Sequence, residues 1–286
     1  MTTILPASGA LRMTPARLLT LAIGVPVILA LIGWTGFTLV SQAARASFPV
    51  SYVMGVQHGQ LTVGVNSADI TVRQAGGSTA RLAGTVKYGL FRPRVTSSIT
   101  ASGNEVNVNC SGISDGNCGL SATLDVPRLT GLTLSSGGGD LTVPGVAQTV
   151  YLTSDGGDVT VSGVPGSATV FTGGGDLTAG DLSGTLKFTT DGGDIGGSDL
   201  TAPTLNAGSG GGDVALVFTR PPAYLNIISD GGDVNIVLPR GNTAYRIITT
   251  ADGGDDSVAV PASSSSGNQI TVDSGGGDIT ISEEQS

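Results

Sequence analysis

The chain has 286 residues, of which 46 are Gly, 12 % are charged and 4 % are aromatic. Gly in a helix interior costs about 1 kcal/mol against Ala, so a chain this rich in Gly is not mainly helical. With 39 % hydrophobic residues, 13 Pro and no Gly at every third position, it is neither disordered throughout nor collagen-like.

The formal charge of −9 is uneven, with nine basic and four acidic residues up to position 130 and four and eighteen beyond it. The acidic part repels phosphate, and Arg220, Arg240 and Arg246 form no basic stripe, which argues against nucleic acid as a partner. One His (His58) and two Cys (Cys110 and Cys118) supply neither a His-pair metal site nor a zinc cluster.

In chain order, the first feature is the run LLTLAIGVPVILALIGWTGFTLV at 18–40, without a charge and long enough to span a bilayer. Arg12 and Arg17 precede it and Arg45 follows, so the positive-inside bias puts the N-terminus in the cytoplasm. The sequence therefore predicts a cytoplasmic tail at 1–17, a transmembrane helix at 18–40 and an extracytoplasmic domain over 47–282. The chain would be a single-pass protein of the cell membrane. A signal peptide cleaved near QAARAS is the competing reading, but the apolar stretch exceeds the about 7 to 15 residues of a signal core.

Segment 47–130 reads as short strands: NSADITVRQ with Asp69, ARLAGTVKY, VTSSITAS, NEVNVNC and LSATLDVP. Cys110 and Cys118 flank SGISDGN, and an even number of Cys in an extracytoplasmic chain suggests a disulfide, with two buried thiols as the alternative.

Beyond residue 130 a repeat dominates. The units SGGGDLTV, SDGGDVTV, TGGGDLTA, TDGGDIGG, SGGGDVAL, SDGGDVNI, ADGGDDSV and SGGGDITI place Asp at 140, 158, 176, 194, 213, 233, 255 and 278, at intervals of 18, 18, 18, 19, 20, 22 and 23. Apolar residues stand one and three places after most of these Asp (Val159 and Val161, Val234 and Ile236). They stand again eight and six places before (Val150 and Leu152, Leu225 and Ile227), followed by Ser or Thr at minus four. This period of two marks two strands per unit, each with one apolar face.

The expected architecture is all-β: a single β-solenoid with two short strands per coil of about 18–23 residues, less regular over 47–130 and preceded by one transmembrane helix. In the last two units Asp256 stands where other units carry an aliphatic residue, and PASSSSGNQ is the most polar connection. The sequence thus predicts a bulge and a protruding mobile loop over 255–268, with the coil restored by QITVDSGGGDITI. Glu283 and Glu284 are expected to charge the last strand edge.

A basic N-terminus, one apolar helix, a strand-rich segment with KYGLFRPRV, a Cys pair followed by SATLDVP, and repeated GGD-aliphatic units together resemble a bacterial β-strand-repeat family labelled "putative adhesin", a domain of unknown function. The resemblance implies a β-solenoid on the outside of a bacterial cell and brings no catalytic residue with it.

The repeated Asp has two readings. In the first, Gly-Gly takes up φ > 0 and the carboxylate accepts turn N–H groups. In the second, Asp140, Asp155, Asp158, Asp191, Asp194, Asp230 and Asp233 form a weak calcium ladder. The apolar residue follows Asp directly, unlike the GGxGxDxUx calcium repeat, and the first reading is favoured, with no cofactor expected. A polysaccharide-processing enzyme could use Asp155 and Asp158 as acid and base, but a pair that recurs along the chain marks a turn, and His58 reads as a solvated turn residue. The expected role is structural or adhesive and without catalysis, the partners being the membrane through 18–40 and a cell-envelope polymer or surface protein. A calcium- or glycan-binding β-helix is the alternative.

Overall fold

The computed structural model describes residues 26–28, 30–31, 34–35, 45–89, 91–100, 103–109 and 118–284. The N-terminal fragments are helical, and Thr35 Oγ1 donates to the Leu31 carbonyl at 2.8 Å. Among the described residues no helix is long and apolar enough to cross a membrane. Most of the span 18–40 expected from sequence lies outside them, as does the tail 1–17.

Among the described residues, two sheets of 12 and 11 strands face each other. The first runs, in spatial order, β1 (Ala46–Gly55), β4 (Thr79–Tyr88), β7 (Gly119–Val126), β3 (Ala68–Gln74), β9 (Leu141–Val143), β11 (Val159–Ser162), β13 (Leu177–Gly180), β15 (Ile195–Leu200), β17 (Val214–Phe218), β19 (Val234–Leu238), β23 (Ile279–Glu283) and β21 (Asp256–Ala259). The second runs β5 (Arg94–Thr100), β6 (Gly103–Asn109), β2 (Gln60–Val65), β8 (Leu129–Ser136), β10 (Ala147–Ser154), β12 (Ala168–Thr172), β14 (Thr185–Thr190), β16 (Thr204–Ser209), β18 (Tyr224–Ser229), β22 (Gln269–Ser274) and β20 (Arg246–Ala251).

One strand from each sheet, joined by a GGD turn, makes a coil. Successive coils pair in parallel and in register, as in Val159↔Leu177 and Leu152↔Val170. The alternation legible in the sequence is the inside-outside pattern of the strands: Val159, Val161, Leu186, Phe188, Leu225, Ile227, Ile270 and Val272 are all buried. These residues belong to one continuous core cluster, which offsets the conformational cost that no single coil could meet alone.

Spatial order departs from chain order at both ends. The coil β22/β23 is last in sequence but sits between β18/β19 and β20/β21, and β2/β3, first in sequence, sits between β6/β7 and β8/β9. Asp256 therefore belongs to the terminal coil. β21 is exposed along its length and pairs without interruption, Asp256↔Ile279 to Ala259↔Ser282. This corrects the bulge expected at 255–268. A coil at the end of the rod needs no aliphatic residue at that position, and Asp256 Oδ2 instead accepts from Thr249 Oγ1 of β20 at 2.7 Å. A charged residue at the inward position of an edge strand is a common way to block edge pairing.

The register shift falls elsewhere in the repeats, between Gly197 and Leu200 of β15, where Asp199 has φ 53°. The polar connection after β21 is tied down: Tyr245 N donates to Pro261 O, Ser263 N to Tyr245 O, and Ser266 Oγ to Ala244 O. Glu283 and Glu284 do not charge the edge as expected, because β23 is an interior strand, and Glu283 pairs with Leu238.

At the other end the strands expected over 68–126 are present, but they do not all coil. β1 and β4 pair antiparallel over ten residues, β4 with β7 and β5 with β6 likewise. Pro49 lies in the edge strand β1, where a residue without an N–H is tolerated.

Candidate functional site

The repeated turn is the feature the sequence brings forward, and its glycines separate into three kinds. The Gly just before each Asp is enforced by contact between coils. A Cβ on Gly157 would lie 2.3 Å from the Gly139 carbonyl oxygen, and one on Gly175 would lie 2.3 Å from that of Gly157. None of the turn glycines has φ in the left-handed region, so the φ > 0 expected for Gly-Gly is replaced by close approach of stacked backbones. The middle Gly is different, since a Cβ on Gly138 or Gly174 meets nothing within 4 Å.

The residue three before the Asp alternates through the stack as Gly137, Asp155, Gly173, Asp191, Gly210, Asp230, Gly275, Asp252, each N–H bonding the coil before it. A Cβ on Gly173, Gly210 or Gly275 would fall 2.3, 2.4 or 2.7 Å from the carbonyl oxygen of the Asp beneath. In chain order Asp230 is followed by Asp252. Intercalating the last coil puts Gly275 on Asp230 and restores the alternation in space.

Two hydrogen-bond ladders hold the turns together. The Ser or Thr at minus four is buried, accepts from its own turn and donates to the previous one: Gly175 N–H donates to Thr172 Oγ1 at 3.2 Å, and that hydroxyl donates to Gly157 O at 2.9 Å. The Asp side chains form the second ladder. Oδ1 of Asp140, Asp158, Asp176, Asp194, Asp213, Asp233 and Asp278 accepts the backbone N–H of the Asp stacked next, at 2.8–2.9 Å. Asp69 joins the same ladder by accepting from Asp140 N at 3.3 Å. The carboxylates do bind N–H groups, but across coils and not within their own turn. Hydrogen bonds to a charged acceptor contribute about 1.5–3 kcal/mol each, against about 0.9 kcal/mol of repulsion between neighbours 4.8 Å apart in water.

Of the calcium candidates, Asp140, Asp158, Asp194 and Asp233 have one oxygen committed to this ladder, while Asp155, Asp191 and Asp230 are exposed on the same edge. No group of three or more His, Cys, Asp or Glu among the described residues is arranged to hold a metal ion. Cys118 is disulfide-bonded, and Cys110 lies outside the described residues.

His58 is an exposed turn residue with φ 52°. Tyr151 and Tyr224 are exposed, whereas Tyr245 is 2 % exposed and its hydroxyl has no hydrogen-bond partner among the described residues. Burial, and then the charge of Glu283, push the Tyr245 hydroxyl above its ordinary pKa.

No curated protein matches the sequence. A solved "putative adhesin" from Parabacteroides distasonis resembles the chain with a TM-score of 0.53 at 11 % identity, over 83 % of this chain and 97 % of that one. A second, from Bacteroides fragilis, has a TM-score of 0.44 at 14 % identity, over 84 % and 97 %. A "putative lipid binding protein" from Parabacteroides distasonis has 0.43 at 14 %, over 83 % and 97 %. The family model described as Toastrack DUF4097 matches residues 58–282, and the chain belongs to that family.

Proposed function

We propose that this chain is a membrane-anchored β-solenoid, held by residues 18–40 with its N-terminus in the cytoplasm and its coils displayed outside the cell. Its role there is structural or adhesive, and it binds a cell-envelope polymer or surface protein without catalysis. The observation that carries this reading is the sameness of the turns. Each carboxylate in the ladder meets the same backbone partner as the one below it, whereas acid-base catalysis needs two groups in unlike surroundings at one place. The adhesin description of the Parabacteroides neighbour agrees with a binding role.

Full-length chain in detergent should co-sediment with isolated cell envelopes and leave wall glycans intact. Turnover of a wall glycan that is abolished by one Asp substitution would refute the reading.

A further inference from the structure

Where the β5–β6 hairpin leaves the coil pattern the surface is hollowed. A depression of about 330 Å³ over β2, β6 and β8 shares Thr62, Thr100, Gly103 and Asn104 with a second of about 380 Å³ beside the turn between β1 and β2. From these adjoining depressions, which together form a groove along the hairpin, we infer a binding site for a neutral, hydroxyl-rich ligand, that is, a saccharide segment. The inference deepens the binding role proposed above and rests on it.

The chemistry of the lining selects the ligand class. Among the described residues the lining has no Lys or Arg and one carboxylate, Glu105, so it offers phosphate no counter-charge, and its exposed large apolar side chain, Ile99, is too little for an acyl chain. The remaining groups are amides, hydroxyls and one imidazole, which both donate and accept. Such groups match sugar hydroxyls, which do the same.

Several are already oriented. Asn107 Nδ2 donates to Glu105 Oε1 at 2.9 Å, and Asn104 Nδ2 donates to Thr62 O at 3.2 Å, leaving Glu105 Oε2 and Asn104 Oδ1 as acceptors. Gln57, His58 and Gln60 line the same groove, and their side chains have no hydrogen-bond partner among the described residues. Gly64 contributes no side chain, so a ligand can approach the β2 backbone there. Ile99, 79 % exposed, gives the C–H face of a sugar ring an apolar contact.

The turn bearing His58 is held in a defined shape. Gln57 and Gln60 exchange backbone hydrogen bonds at 3.0 and 2.8 Å around His58 (φ 52°) and Gly59 (φ 76°). With φ positive at both central residues this turn favours Asn-Gly, yet it carries His. Thr130 clamps it, with N and Oγ1 both donating to Gly59 O at 2.8 and 3.0 Å.

The test is saturation-transfer NMR and calorimetry on the full-length chain with cello-, malto-, manno- and chito-tetraose as probes. His58→Asn keeps the turn, and Glu105→Gln keeps the shape. Each should weaken binding about tenfold, while Tyr151→Ser, on β10 outside the groove, should not. Equal binding by the groove variants, or no binding of any probe at millimolar concentration, overturns the assignment. Envelope co-sedimentation separates the two claims: retention by the groove variants refutes the groove alone, and loss in the wild type refutes the binding role itself.

Discussion

Two adjacent glycines of one turn should respond in opposite ways to the same added methyl. In Gly175→Ala the new Cβ would sit 2.3 Å from Gly157 O, 2.4 Å from Gly157 C and 2.7 Å from Asp158 N, all backbone atoms that no rotamer change can move. Reaching ordinary contact at 3.4 Å requires the two coils to part by about 1 Å. Three bonds cross there: Asp176 N to Asp158 Oδ1 at 2.8 Å, Thr172 Oγ1 to Gly157 O at 2.9 Å and Val159 N to Asp176 O at 2.8 Å. Lengthened by that amount they leave hydrogen-bonding range. With about 1 kcal/mol for each neutral bond and about 1.5–3 for the charged one, the loss is about 3.5–5 kcal/mol. For a domain of this size that lowers the Tm by roughly 10 °C. Gly174→Ala meets open space and restricts the unfolded chain, so it should be neutral or stabilising by up to about 1 kcal/mol. Circular-dichroism melts and urea titrations of the two variants decide the matter. Similar losses in both, or a larger loss for Gly174→Ala, would refute the close-approach account of the turn.

Ile227→Asp buries a carboxyl in a fully buried position and should cost about 4 kcal/mol or more in a urea titration, whereas Asn226→Asp, facing outward, should cost under about 0.5. Gly173→Asp, which sets a Cβ against Asp155 O at 2.3 Å, should melt well below wild type, while Asp191→Gly at the same row of the next coil should stay within about 1 kcal/mol. Tyr245→Phe removes a buried hydroxyl without a partner and should be neutral or stabilising by up to about 1 kcal/mol at pH 7. Because the folded-state pKa of Tyr245 is raised, the stability linked to it is complete below the ordinary value of 10.0 and is lost as pH rises beyond it. The Phe variant should lack that alkaline loss in melts between neutral pH and pH above 10.

What was legible in the sequence was what repeats locally. The period of two around each Asp placed Val159, Val161, Leu225 and Ile227 inside without error, since a strand with one buried face needs nothing else. The strands β3 to β7 were also legible, but not their antiparallel closure, because partner choice is set by contacts far apart in sequence. The same applies to the ladder, where Asp233 accepts from Asp278, 45 residues away. The intercalated coil did leave a trace: Asp230, Asp252 and Gly275 break the Gly/Asp alternation in chain order, and only stacking the last unit inside restores it. Asp256 is legible from the sequence as a misfit in an interior coil, but the end of the rod, not a bulge, relieves it. The groove around His58 has no sequence motif, since its residues come from the β1–β2 turn, β2, β5, β6 and β8.

The central claim, a rod anchored at residues 18–40 and displayed outside the cell, is tested most directly by labelling intact protoplasts with a membrane-impermeant maleimide. Tyr151→Cys, at a position 51 % exposed on β10, should be labelled without lysis, and Thr2→Cys should be labelled only after lysis, with both chains in the membrane fraction. Protection of Tyr151→Cys until lysis, labelling of Thr2→Cys from outside, or release of a soluble chain beginning near Ser47 would contradict the account.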